Sequence, residues 1–83
     1  MLTANPELDL RGMRLHESLE RLDAFLNDAL TQERQQVRII HGKGTGVLRQ
    51  GVWKHLANHP AVQRYDFAGP REGGDGATVV ELG

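Results

Sequence analysis

Two short runs hold the residue types best suited to reacting with an anion. Asp9, Arg11, Arg14 and His16 fall within Asp9-Leu10-Arg11-Gly12-Met13-Arg14-Leu15-His16, and His41 and Lys43 within His41-Gly42-Lys43-Gly44-Thr45-Gly46. Arginine grips phosphate oxygens in a bidentate fork, lysine acts as a point charge, and glycine lets an anion approach the backbone amides. Imidazole changes charge near neutral pH, so His41 is a candidate general acid or base. The plainer reading of His41 is that a histidine at a strand end holds its turn through a backbone hydrogen bond. Asp9 has three options: to orient His41, to orient Arg11, or to help hold a divalent ion. The plainer reading of Arg11 is a surface pair with Asp9, which contributes little energy.

Spacing narrows the chemistry. Gly42, Gly44 and Gly46 read G-x-G-x-G, not the G-x-G-x-x-G of dinucleotide folds, and Lys43 does not follow the gap that a Walker loop requires. Nucleotide hydrolysis is therefore not expected. The pattern suits phosphate binding by Gly42, Gly44, Thr45, Gly46, Arg14, His16 and Arg49, with Thr45 able to cap a following helix. One carboxylate and one imidazole make a poor metal site without Asp66, Asp75 or Glu17. No tightly bound metal or other cofactor is expected, although activity could still call for Mg²⁺ or Mn²⁺.

Charge distribution supports an anionic partner. The 83 residues carry ten Lys and Arg against eleven Asp and Glu, a net of -1. Yet Arg34 to Tyr65 contains six bases and no acid, while the other residues carry four bases and eleven acids. A near-neutral total thus conceals a strong asymmetry along the chain. Cysteine is absent, which excludes disulfides and thiolate metal knots and fits a reducing compartment. No apolar run approaches the ~20 residues that cross a bilayer. Met1-Leu2-Thr3-Ala4-Asn5-Pro6 lacks the basic start and apolar stretch of a signal peptide, so a cytoplasmic location without membrane contact is expected.

These residues need a scaffold, and periodicity supplies one. Residues 1–6 read as a tail or linker and 7–83 as a single domain. Glu7-Leu8-Asp9-Leu10-Arg11 alternates like a half-buried strand, with Leu8 and Leu10 inward and Asp9 and Arg11 on the open side. Leu15, Leu19, Leu22, Leu26, Ala29 and Leu30 form one helical stripe. Val37 to His41 is a second strand, and Leu48, Val52 and Leu56 a second helical stripe that ends near Asn58-His59-Pro60. His55 falls inside that stripe as a packed residue, and Trp53 flanks it with one edge buried. Val62 to Phe67 and Ala77 to Leu82 read as strands around a turn-rich loop. The order β-α-β-α-β-β predicts an α/β two-layer sandwich with both helices on one face of a mixed four-stranded sheet. Ala77 to Leu82, the most apolar strand, takes an interior position. Ligands of such sheets bind beyond the carboxyl ends of parallel strands, so Arg11, Arg14, His16, His41 and Lys43 are expected along one rim.

Leu8-Asp9-Leu10-Arg11-Gly12, then His41-Gly42-Lys43-Gly44-Thr45-Gly46, then Gly76-Ala77-Thr78-Val79-Val80-Glu81-Leu82 together resemble the Smr (small MutS-related) family over residues 7–82. Arg11 stands where many family members carry histidine. That variant is most like the C-terminal domain of bacterial MutS-like proteins that suppress recombination. The resemblance implies strand order 1-2-4-3 with the fourth strand antiparallel. It also implies a DNA-nicking endonuclease acting on branched or recombination-intermediate DNA beside upstream ATPase domains. A non-catalytic module that binds RNA or the ribosome is the alternative it leaves open.

Overall fold

The computed structural model describes residues 5–83. Residues 1–4 of the expected 1–6 tail lie outside the described residues. Pro6 already lies along the sheet, its carbonyl accepting the Arg38 N–H at 2.9 Å.

The elements run β1 (Glu7–Asp9), α1 (Leu15–Thr31), β2 (Gln36–Ile40), α2 (Val47–Ala57), β3 (Val62–Phe67), a 3₁₀ turn (Gly74–Gly76) and β4 (Ala77–Leu82). The sheet order is β1-β2-β4-β3; β1 and β2 are parallel, and β4 runs antiparallel to both neighbours. The strand order and the antiparallel β4 are as the family resemblance implies, and the interior position of β4 is as its apolar run implies. The first strand is shorter, ending at Asp9 rather than Arg11, and the second is shifted by one residue, running Gln36–Ile40 rather than Val37 to His41.

Alternation assigns the two faces of the sheet. Leu10, Val37, Ile39, Val80 and Leu82 are buried against Leu22, Leu26 and Ala29 of α1 and Val52 and Leu56 of α2. Both helices therefore share one face. The other face carries Glu7, Asp9, Arg38, Arg64, Asp66 and Glu81; among the described residues no layer covers it, so it stays polar.

The α1 stripe needs one correction. Its buried line is Ser18, Leu22, Leu26 and Ala29; Leu19 and Leu30 are half-buried, and Leu15 remains 38% exposed. Ser18 can be buried because its hydroxyl donates to the Leu15 carbonyl at 2.6 Å, leaving no unmet donor. Leu15 begins the helix and projects past the end of the core, against Gly51 of α2. Among the described residues, no helix is long and apolar enough to cross a membrane.

Candidate nucleic-acid interface

The loop after β2 is fixed at its start by backbone bonds to the 3₁₀ turn. The N–H groups of His41 and Gly42 both donate to the Gly76 carbonyl, at 3.2 and 2.9 Å. The 3₁₀ turn thereby holds the strand end in place. Gly42 has φ +82°, and a Cβ there would stand 3.3 Å from Arg11 Cγ. Only glycine meets both conditions without strain. Gly46, at φ +85°, is the N-cap of α2, and no side chain caps that helix. Thr45 was expected to cap it. Instead Thr45 sits one residue earlier, and its hydroxyl accepts the Val47 N–H at a long 3.4 Å. The first turn of α2 holds no acid. Its amide end is therefore positive and open to an anion.

A cleft of about 500 Å³ lies between the Gly12–Leu15 turn and the stretch from His41 to Arg49. No Asp or Glu is among its lining residues, while Arg14, Lys43 and Arg49 are. The structure thus brings Arg14, Gly42, Lys43, Gly44, Thr45, Gly46 and Arg49 to one cleft. The exposed His16 is not part of its wall.

His41 is placed differently from the expected proton-transfer residue. It is only 5% exposed and both ring nitrogens are occupied. Nδ1 lies 2.9 Å from the Gly42 carbonyl and Nε2 lies 2.8 Å from Thr78 Oγ1. A carbonyl only accepts, so Nδ1 donates; Nε2 of the neutral ring then accepts the Thr78 hydroxyl proton. Thr78 Oγ1 in turn accepts the Trp53 indole N–H at 2.7 Å. Every group in this chain is satisfied. The ring therefore offers no free nitrogen to a ligand, and its visible work is to hold the Gly42 peptide.

Arg11 and Asp9 also depart from the expected single rim. Arg11 Nη2 donates to Asp9 Oδ2 at 2.7 Å, and Arg11 Nε and the Arg11 backbone N–H both donate to Oδ1 at 3.0 Å. Asp9 therefore orients Arg11 rather than His41. The side-chain hydrogen bond from Arg11, followed by the backbone one, lowers the Asp9 pKa to about 2. Arg11 does not line the first cleft. It borders a second one, of about 390 Å³, together with Arg38 and Lys43. The Gly42–Lys43 backbone belongs to both walls and divides them. The two strand ends are adjacent as expected, but Arg11 and His41 leave the loop on opposite sides, so the pair does not close on one oxyanion. In the second cleft each cation already has an acid: Arg11 with Asp9, Arg38 with Glu7, and Lys43 with Asp75 at 3.5 Å.

Several contributors escaped the sequence reading. Thr78 is 37 residues from His41 in the chain, and nothing local marks it as a histidine partner. Arg49 was placed with the phosphate-binding residues, but its aromatic seat was not foreseen. Its guanidinium carbon lies 5.5 Å from the Phe67 ring centre and 5.8 Å from that of Trp53. The position of Phe67 at the last residue of an edge strand was the available signal. His55 is half-buried through a 2.6 Å contact from Nε2 to Asp23 of α1, and His59 accepts the Ala61 N–H at the helix stop. Among the described residues, no three of His, Asp and Glu gather as metal ligands.

Taken together, this is a two-layer α/β domain whose cationic, glycine-rich loop opens at the ends of its two parallel strands. The chain belongs to the Smr domain family, whose model matches residues 8–83. It is similar to Endonuclease MutS2 of Symbiobacterium thermophilum, 53% identical over 94% of this chain and 10% of the relative. Endonuclease MutS2 of Staphylococcus epidermidis is 50% identical over 96% of this chain and again 10% of the relative. The chain thus spans about a tenth of the length of these curated relatives. Among solved structures, the Smr domain of Thermus thermophilus MutS2 superposes with a TM-score of 0.92 at 41% identity, covering 94% of this chain and 98% of that one. YdaL, a stand-alone small MutS-related protein from Escherichia coli, gives 0.90 at 31% identity, covering 96% and 68%.

Proposed function

We propose that this domain binds the sugar–phosphate backbone of DNA in the Arg14–Lys43–Arg49 cleft and nicks it. In this reading it acts as the C-terminal part of a larger MutS-like ATPase chain, on branched or recombination-intermediate DNA. The single observation that carries the reading is the cleft itself: three cations, a run of glycine amides and an uncapped helix start, with no acid in the wall. The relatives named endonucleases support it from outside the geometry.

Cleavage of a DNA phosphodiester places extra negative charge on the equatorial oxygens as water attacks phosphorus. Amides and cations already aimed at that position stabilise the charge without reorganising. Lys43 and Arg14 neutralise the oxygens, and the amides of the α2 start receive them. His41 acts as a positioning residue, because its bond to the Gly42 carbonyl sets the direction of the amides that follow. Arg11, held by Asp9, backs the same loop, its Cγ 3.3 Å from where a Gly42 Cβ would stand. Water from the open cleft adds to phosphorus as the bond to the departing sugar oxygen breaks. The water gives its proton to solvent and the sugar oxygen takes one from solvent, which leaves a hydroxyl and a phosphomonoester at the nick.

The test is incubation of the domain with supercoiled plasmid and with branched DNA, with and without Mg²⁺ or Mn²⁺. Conversion to nicked circles is expected, and Lys43→Ala should reduce the rate at least tenfold. Nicking at an undiminished rate in the Lys43→Ala protein would overturn the assignment. One observation favours a second reading, a non-catalytic RNA- or ribosome-binding module: no free imidazole or carboxylate stands in the cleft. RNA binding as tight as DNA binding, with neither strand cut, would select it.

A further inference from the structure

Among the described residues, three large apolar side chains are conspicuously exposed, and all three gather at one end of the molecule. They are Leu15 at 38%, Val47 at 58% and Phe67 at 40%. Leu15 and Val47 line the cationic cleft itself. Phe67 is joined to it by Arg49, whose guanidinium lies over the Phe67 and Trp53 rings while its stem forms part of the cleft wall. Arg49 Nη2 also approaches Gly46, 3.3 Å from where a Cβ would be. The guanidinium therefore stands between the phosphate-binding loop and the aromatic pair.

Binding to the backbone of a closed duplex requires cations and amides only, because stacked base pairs keep their faces inward. Exposed apolar and aromatic surface beside a phosphate site has a different use. Proteins that hold unpaired strands combine a cationic track with rings and guanidinium planes on which single bases stack. We infer that the cleft takes an unpaired nucleotide, its phosphate on the Gly42–Gly46 loop and its base stacked on the Arg49–Phe67 pair against Val47. This deepens the proposed function and rests on it. The substrate class becomes DNA with unstacked bases, as found at flaps, gaps and branch points. Discrimination against intact duplex would then come from the availability of a base, with no base edge being read.

The experiment compares binding of the domain to three fluorescent DNAs at low salt. These are a single strand, a blunt duplex of the same sequence, and the same single strand with tetrahydrofuran abasic sites throughout its centre. The intact single strand should bind roughly tenfold or more tightly than the abasic strand. Phe67→Ala should remove that advantage while leaving duplex binding unchanged. Phe67→Leu, which keeps the apolar volume for Trp53 to pack against, controls for folding and should lose most of the same advantage. Equal affinity for intact and abasic strands, or equal weakening of single strand and duplex in both variants, would overturn the inference. Failure of the wild-type domain to bind any of the three would instead overturn the phosphate cleft on which it rests.

Discussion

The Trp53–Thr78–His41 chain joins the middle of α2, the interior strand β4 and the loop after β2 through three hydrogen bonds, with Thr78 fully buried. Replacing Thr78 by valine preserves shape but leaves the indole N–H and the His41 Nε2 without partners. Such losses cost about 1–3 kcal/mol each when the group stays buried. Urea denaturation of Thr78→Val should register a loss of about 2–6 kcal/mol for the two together. A second prediction concerns Asp9. Its carboxylate is held at about 2, below its ordinary 3.8. A depressed pKa means that the contribution is complete above the ordinary value and fades as pH falls through about 2. The Asp9–Arg11 pair is therefore unaffected near neutrality. Carbon-detected NMR titration of the Asp9 carboxyl should show a midpoint near 2 and no inflection near 4.

At the scale of elements, glycines set the geometry of the cleft in two different ways. Gly42 combines a left-handed backbone with close contact to the Arg11 stem. Gly42→Ala should destabilise by about 1–2 kcal/mol from backbone strain alone, measured by denaturant midpoint. Gly51 is a helix-interior glycine whose added Cβ would overlap the end of Leu15. Leu15 is exposed and free to swing away, and alanine regains about 0.5–1 kcal/mol of helix propensity. Gly51→Ala should therefore leave stability close to unchanged while displacing Leu15 from the cleft, visible as shifted Leu15 methyl resonances. The same elements show what was legible in the sequence. β3 and β4 could be bounded from alternation and turn residues, and the most apolar run of the four strands marked β4 as interior. Period tells which face of a strand a residue takes, so Asp9 was assigned to the open side. It does not tell on which side of a glycine loop Arg11 or His41 emerges. That depends on backbone conformation at Gly42 and on Thr78, far away in the chain.

For the whole molecule, the segregation of charge along the sequence becomes a segregation in space only in part. The acid-free window supplies Lys43 and Arg49 to the first cleft, but Arg38 and Arg64 meet Glu7 and Glu81 across the open sheet face. The open face is thus charge-balanced, whereas in the cleft Arg14 and Arg49 meet no acid among the described residues and only the exposed Lys43 is shared, its ammonium 3.5 Å from Asp75. Three cations in contact with a single strand predict a slope of about -2 for log affinity against log salt concentration, measured by fluorescence anisotropy between low and moderate salt. The central claim is that the cleft at the start of α2, rather than the balanced sheet face, receives the phosphates. Amide chemical-shift mapping during titration with a short single-stranded oligonucleotide tests it most directly. The account predicts the largest shifts at Gly42 to Arg49 and at Arg14. Shifts centred instead on Arg38, Val79 and Glu81, with the Gly42–Gly46 amides unmoved, would contradict it.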